Sequence, residues 1–488
     1  MPELLTKTRF LAGRQCPLRL WFELNDLEPK KRNPADQRLL RWGQRVGEMA
    51  RRRFPVGEHV CLIGENAIGI TRDLIARNAA ILFEAAFESG RIFAAIDVLI
   101  REPAGFRAIE VKMQSGASPP ADDLLDELTF EYLVLREAGL DVTGVELMRL
   151  NPECVFPNLG NLFVTTDATA DCVGRVEAVS SLATELLPVF DGVRPDVAPG
   201  PQCKKPDVCP FFDRCNPPLP PDDIRRLYRL HWKRRDALLA QGITSVRDLP
   251  ASFMPTPIQA RQIEALRTGN RVVEATLGPT LDKVAFPIAF LDFETINLPV
   301  PRFDGMSPWR QVPVQFSCHV LNPEGSVVHH EWLAEGDCDP RPAFARAVLV
   351  AVEGAGTVVA HHAGFEADRL KEIAVAVPAL AGELNALASS LADTEVWLNE
   401  HVYDLAFDSS FSLKKVLPAL VGRGYEDLAV QEGLAASALL EQLLWEPGWL
   451  DQPADQLRRD LLAYCGRDTE GLMQLWHELR RMEGSAGG

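Results

Sequence analysis

Two α/β units, each built on a mixed sheet, are what the order of apolar patterns predicts for this 488-residue chain. The first half reads helix, strand, strand, helix, strand. The stretch from Pro287 onward reads as three strands, a helix, a strand and further helices, and between the two ten prolines crowd into residues 188–221. Interleaved strand and helix patterns require sheets covered by helices, and proline at that density removes backbone donors and interrupts regular structure. The boundaries that follow are 1–220, a helical connector over 221–284, and 285–488.

Taken in order, residues 70–88 carry a helical pattern, 91–101 and 106–113 alternate as strands, 123–137 return to a helical period and 142–150 read as a strand. The proline-rich strap then holds three cysteines. Residues 222–240 read as a helix that is basic on one side, followed by Gln241-Gly242-Ile243 and a second element from Val246. A helix-hairpin-helix that offers backbone N–H groups to phosphate fits this pattern, and so does an ordinary helical connector. Residues 288–293 form a buried type of strand, 312–321 and 327–333 alternate, 342–353 are helical, and 357–361 form another strand. Helices follow over 365–376 and 455–481. The predicted sheet has three antiparallel strands with later parallel additions.

Hydrophobic residues at 47% and charged residues at 24% match a globular protein and exclude wholesale disorder. The most apolar region, 373–392, is interrupted by Pro378 and Glu383, so no membrane span is expected. Glu3, Lys7 and Arg9 precede no apolar run, which predicts a cytoplasmic address. The formal charge of −17 argues against bulk attraction to nucleic acid, while leaving local basic patches such as Arg51-Arg52-Arg53. Ten cysteines are too sparse for a secreted disulfide framework, so clustered ones read as metal or cluster ligands. Cys61, Cys154, Cys172, Cys318, Cys338 and Cys465 read as small buried hydrophobes.

In Leu291-Asp292-Phe293-Glu294-Thr295, alternation along a strand points Asp292 and Glu294 to one face and Phe293 to the other. Two carboxylates so placed call for a divalent cation between them. In Tyr464-Cys465-Gly466-Arg467-Asp468, helical spacing puts Tyr464 and Asp468 on one face. His361-His362-Ala363-Gly364-Phe365-Glu366 follows a strand. Together these motifs resemble the DnaQ-like exonucleases of the RNase H-like fold, over roughly residues 287–482. The resemblance implies that Asp292, Glu294, Glu366 and Asp468 bind Mg²⁺ or Mn²⁺, and that Tyr464 orients or helps deprotonate the attacking water. Two metals of that kind serve in-line hydrolysis of a phosphodiester. Glu366 stands where that family usually has Asp, and His361-His362 where Tyr-Asn is commoner. Asp393-Thr394 and Ser412-Leu413-Lys414-Lys415 also resemble its inter-motif segments, with Lys414 or Lys415 either steadying a phosphate or lying on a solvated helix face.

In the first half, Asp97 lies in one predicted strand and Glu110-Val111-Lys112 ends the next, which resembles the PD-(D/E)XK restriction-endonuclease-like core. The resemblance implies that the two acids hold Mg²⁺ and that Lys112 stabilises developing negative charge or orients hydroxide. Glu84 reads as a helix-surface acid or a further ligand. Cys16 before this core and Cys203, Cys209 and Cys215 after it resemble the iron–sulfur staple of RecB-like nucleases, including CRISPR adaptation nucleases. Four thiolates suit a 4Fe–4S cluster, with Zn²⁺ the alternative. The helix after Glu110 lacks the Gln usual in that family, and the 43–53 stretch lacks its His.

The combined resemblance implies a two-nuclease protein acting on DNA, single-stranded or at ends, in repair or defence. A second reading makes the N-terminal half a cluster-bearing DNA clamp without turnover, and a third makes the acids surface decoration on an interaction protein. RNA stays open as substrate, since hydrolysis from a 3′ end needs no 2′-hydroxyl contact. Protein partners are not legible.

Overall fold

The computed structural model describes residues 4–25, 33–60 and 66–483. Its contacts separate two compact units, one of 1–218 with 298–310 and one of 219–297 with 311–488. The expected connector therefore belongs with the second unit, and a loop between two of that unit's strands belongs with the first.

The N-terminal unit runs β1 (Leu5–Thr6), α1 (Lys7–Gln15), α2 (Pro17–Asn25), α3 (Pro34–Arg51), β2 (Glu58–His59), α4 (Ala67–Ala76), β3 (Ile81–Ser89), β4 (Ile92–Glu102), β5 (Gly105–Ser115), α5 (Asp122–Glu137), β6 (Val142–Leu150), β7 (Phe163–Asp167), α6 (Thr169–Phe190) and α7 (Phe212–Cys215). Its sheet has the order β2-β3-β4-β5-β6-β7, with β1 beside β4. β4 runs antiparallel to both β3 and β5, and β5 pairs β6 in parallel. α5 and α6 cover one face over a core that includes Phe10, Leu82, Ile96, Leu128 and Leu147.

One sequence expectation fails here. Residues 70–88 are not one helix: α4 stops at Ala76, Asn78 takes a left-handed φ of 61°, and β3 begins at Ile81. Both faces of β3 are largely buried, so its apolar run carries no alternation to distinguish it from a buried helix. Glu84 accordingly lies in a strand, at φ 56°, paired with Arg51 at 3.1 Å. The strap after α6 is irregular apart from a 3₁₀ turn at Pro201–Cys203 and the single turn of α7.

The C-terminal unit continues with α8 (Trp232–Ala240), α9 (Pro257–Thr268), β8 (Val272–Val273), α10 (Leu277–Leu281), β9 (Ile288–Asn297), β10 (Gln311–Leu321), β11 (Val327–Leu333), α11 (Arg341–Ala351), β12 (Thr357–Ala360), α12 (Gly364–Ala376), α13 (Ala381–Ser390), β13 (Ala392–Asp393), α14 (Thr394–His401), β14 (Val402–Tyr403), α15 (Leu413–Leu420), α16 (Gly433–Trp445) and α17 (Ala454–Glu483). The main sheet has the order β11-β10-β9-β12-β13, antiparallel across β11, β10 and β9 and parallel across β9, β12 and β13. This is the mixed sheet the sequence predicts. α11, α12 and α13 seal one face through Leu291, Phe293, Phe344 and Leu370. The expected helix over 222–240 shortens to α8, because Arg229 at φ 45° cannot continue a right-handed helix. Among the described residues no helix is long and apolar enough to cross a membrane.

Candidate metal centre

β9 delivers its two acids to one face because its other face is committed to the core. Phe293 is buried against Phe344, ring centroids 5.0 Å apart. The opposite face is covered by α17: Ser317, the β10 partner of Asp292, is 2.6 Å from Thr469 Oγ1, and Gln315, the partner of Glu294, donates to the Leu461 carbonyl at 2.8 Å. That docking brings Asp468 over the strand end. Asp292, Glu294 and Asp468 each present an oxygen within 4.8 Å of the others. Glu366 and Tyr464 line the same cavity of about 600 Å³.

Burial raises every one of these acids, and repulsion within the cluster adds to the rise at Asp292 and Glu294. Desolvation, then Asp468 and Glu294, lift Asp292 well above the carboxylate range, and desolvation followed by Asp468 does the same to Glu294. Burial, with Asp393 nearby, pushes Glu366 up to about 8. Asp468 rises to about 6, its burial partly offset by the Tyr425 hydroxyl, Lys414 and Arg467. A buried acid cluster of this sort is relieved by a bound cation. Glu366 leaves one buried oxygen without a hydrogen-bond partner, a free ligand position.

Glu366 is placed by the start of α12. The Asp393 carboxylate accepts from the backbone N–H groups of His362 and Ala363, both at 3.0 Å, which fixes the first turn and sinks Glu366 to 3% exposure. His361 is bracketed by Thr394 Oγ1 at Nδ1 and the Phe411 carbonyl at Nε2, both at 2.8 Å. Since a carbonyl only accepts, Nε2 carries the proton, and burial lowers the ring's pKa. His361 is thus a neutral strut.

Three contributors escape sequence reasoning. Tyr425 donates its hydroxyl to Asp468 Oδ1, and its loop is pinned by Arg467, which contacts the Gly424 carbonyl at 2.6 Å and Asp427 at 2.8 Å. Tyr228 and Arg229 reach the cavity from the connector. All three sit outside helix and strand, Tyr228 and Arg229 in a stretch whose sequence reads as helix, so no spacing marks them as cavity residues. Lys414 also lines the cavity, paired with Glu432 at 2.5 Å, whereas Lys415 faces Asp408 at 3.7 Å.

The N-terminal acids gather differently. Asp97 accepts from the Val111 N–H at 2.7 Å and is raised to about 8 by burial and by Glu110. Glu110, 2% exposed, lies 2.6 Å from Lys7 Nζ and 2.8 Å from Lys112 Nζ. Burial alone would raise it, but the two ammonium groups hold it well below the usual range. Lys7 also meets Glu131 at 2.7 Å, and Lys112 meets Glu127 at 2.6 Å. The sequence reading contained Lys112 but neither Lys7 nor the two α5 glutamates, whose helical spacing gave no hint of what they would face.

Gln15, beside Cys16, donates to the carbonyls of Gln202 and Asp207 at 2.9 and 2.7 Å, tying α1 to the strap. Burial raises the Cys215 thiol, and Cys16, Cys203 and Cys209 add to the rise. The four sulfurs do not meet within the 4.8 Å that the acid triad satisfies; among the described residues that triad is the one such set. Of the remaining cysteines, Cys154, Cys172, Cys318 and Cys465 are buried as expected. Cys338 is exposed, in the loop before α11, and Cys61 lies outside the described residues.

Residues 289–412 match a family described as "Domain of unknown function (DUF2779)". No curated protein matches the chain. Among solved structures, one titled "Crystal structure of SSO0001" is 15% identical and covers 37% of this chain and 86% of that chain, with a TM-score of 0.14.

Proposed function

We propose that the chain is a divalent-metal-dependent nuclease whose C-terminal unit hydrolyses phosphodiester bonds of DNA from a 3′ end. The observation that carries this reading is the convergence of Asp292, Glu294 and Asp468, from a strand and a distant helix, on one point of a cavity that Glu366 completes. The sheet order β11-β10-β9-β12-β13 supports the RNase H-like assignment. Asp292, Glu294, Glu366 and Asp468 would hold Mg²⁺ or Mn²⁺, which supplies a water of lowered pKa and a Lewis acid at the phosphoryl oxygen. Tyr464, its pKa raised by burial and by Asp468, would orient the attacking water or help deprotonate it. Lys414 offers positive charge to a substrate phosphate.

For the N-terminal unit a specific observation favours the clamp over a second nuclease. The Lys7 ammonium occupies the space between Glu110 and Glu131, satisfying acids that would otherwise seek a divalent ion. The four cysteines would hold a 4Fe–4S cluster, with Zn²⁺ the alternative for the same thiolate set.

The deciding experiment incubates full-length protein, purified anaerobically with iron and sulfide measured, with Mn²⁺ and 5′-labelled oligonucleotides. Stepwise shortening from the 3′ end that Asp292→Asn and Asp468→Asn both abolish is the expected result. Absence of Mn²⁺ binding together with intact oligonucleotide ends the nuclease reading. Products unchanged by Asp97→Asn and Lys112→Ala assign the N-terminal unit to binding.

A further inference from the structure

The segment that leads into α8 and its first turn place six cations, Arg225, Arg226, Arg229, Lys233, Arg234 and Arg235, within eleven residues that contain no acid. In a chain of net charge −17 such a run stands apart. Its middle is the part that reaches the acidic cavity, where Tyr228 and Arg229 form part of the wall.

This segment is held rigidly. Gln259 and Gln262 of α9, 2% and 3% exposed, grip its backbone: Gln259 Nε2 donates to the Tyr228 carbonyl at 2.9 Å, Gln262 Oε1 accepts from the Tyr228 N–H at 2.7 Å, and Gln262 Nε2 donates to the Arg226 carbonyl at 2.8 Å. Arg229, next to the gripped Tyr228, takes a left-handed φ of 45°. Such a conformation persists where the surroundings over-determine it. Arg225, Arg226 and Arg235 have carboxylate partners in Asp223, Asp408 and Asp236. Arg229 makes a cation–π contact with Tyr228 at 5.2 Å and, among the described residues, no ion pair.

Three residues on, at most about 11 Å along the chain, Trp232 opens α8 with 56% of its surface exposed. His231 stacks on one side, centroids 5.8 Å apart, and the Lys233 ammonium lies 5.4 Å from the ring. An exposed indole beside a lysine ammonium, three residues from a cation at the rim of an acid cavity, matches the way single strands are bound: bases stack on aromatics while the backbone follows positive charge.

We propose that residues 225–235 are the track along which a single-stranded polynucleotide enters the cavity, with Arg229 on a backbone phosphate beside the scissile one and Trp232 stacked on an upstream base. This rests on the nuclease reading and adds the substrate class, a single-stranded 3′ end. Arg229 and Trp232 are positioning residues, distinct from the acids that hold metal.

The test measures anisotropy of 5′-fluorescein dT20 and rU20 with full-length protein in EDTA over a salt series, where no hydrolysis intervenes. Trp232→Ala is expected to weaken binding about tenfold and Trp232→Phe to retain most of it. Arg229→Ala should lower the salt slope by about one, and Arg229→Lys should restore it. In Mn²⁺, Trp232→Ala raises KM about tenfold with little change in kcat. The DNA and RNA arms show which sugar the track accepts. Wild-type affinity and salt slope in both alanine variants overturn the track even if cleavage proceeds. Weakened binding in both, without any Mn²⁺-dependent cleavage, leaves the track standing and overturns the nuclease reading instead.

Discussion

Tyr425 gives its hydroxyl hydrogen to Asp468, the acid that joins the β9 pair from across the unit. That bond favours the ionised carboxylate and orients it, so it would act through Asp468 on any metal held there. Tyr425→Phe keeps the ring in place and removes the donor. Mn²⁺ affinity, read by calorimetry, should fall about 10–100-fold, as is typical when such an outer partner is lost. An unchanged affinity would mean that Asp468 needs no such support.

Asp292 is destabilising without metal. Its folded pKa is raised, so the folded state holds its proton more tightly than the unfolded chain, and stability is lost once pH climbs past the unfolded value of about 4. Asp292→Asn removes that repulsion. In EDTA at pH 7 the variant should melt higher than wild type, by about 2–4 °C for each kcal/mol relieved, yet gain nothing when Mn²⁺ is added. Melting below wild type in EDTA would contradict the electrostatic account.

Lys7 is the counterion of a buried acid cluster, 2.6 Å from Glu110 and 2.7 Å from Glu131. Lys7→Met preserves its bulk but leaves those acids uncompensated. Breaking a buried pair on one side costs about 3–5 kcal/mol, and the N-terminal unit's urea midpoint should fall accordingly. If the vacated space can take a divalent ion, Mg²⁺ will return part of the loss. Recovery by Mg²⁺ would restore the case for a second metal site in this unit, and its absence would support the clamp.

Legibility followed periodicity. Strands β4, β5, β6, β9, β10 and β11 were readable because they alternate or end in marked motifs, and Asp292, Glu294 and Asp468 because strand and helix periods put them on defined faces. β3 was lost because its two buried faces erase alternation. The segment before α8 read as helix because its composition is helical, while the grip of Gln259 and Gln262 that straightens it comes from residues some thirty positions away. Tyr425 and Lys7 were invisible for the same reason: each acts across the fold, and no local pattern records the partner. Glu366 shows the opposite case, where a departure from a family's usual residue still landed in the cavity because α12 begins at a fixed point after β12.

The His319–His329 pair gives a pH dependence that is independent of metal. The rings stack with centroids 4.0 Å apart; His319 Nδ1 is 2.8 Å from Thr469 Oγ1 and His329 Nε2 is 2.9 Å from Ser317 Oγ. Burial, then the neighbouring ring, lowers His319 to about 4, and burial lowers His329 as well. With folded values below the unfolded 6.5, the unfolded chain binds more protons between the two, so stability is full above about pH 6.5 and is lost as pH falls toward 4. Because His319 is only partly buried, solvent screening keeps its share on the order of 1 kcal/mol. Denaturant midpoints of the C-terminal unit at pH 7.5 and 5.0, in EDTA, should differ more for wild type than for His319→Gln, whose side chain can still meet Thr469 but takes up no proton. Equal losses in the two proteins would assign the acid sensitivity to other groups. A larger loss in the variant would reverse the inferred direction of the histidine shift.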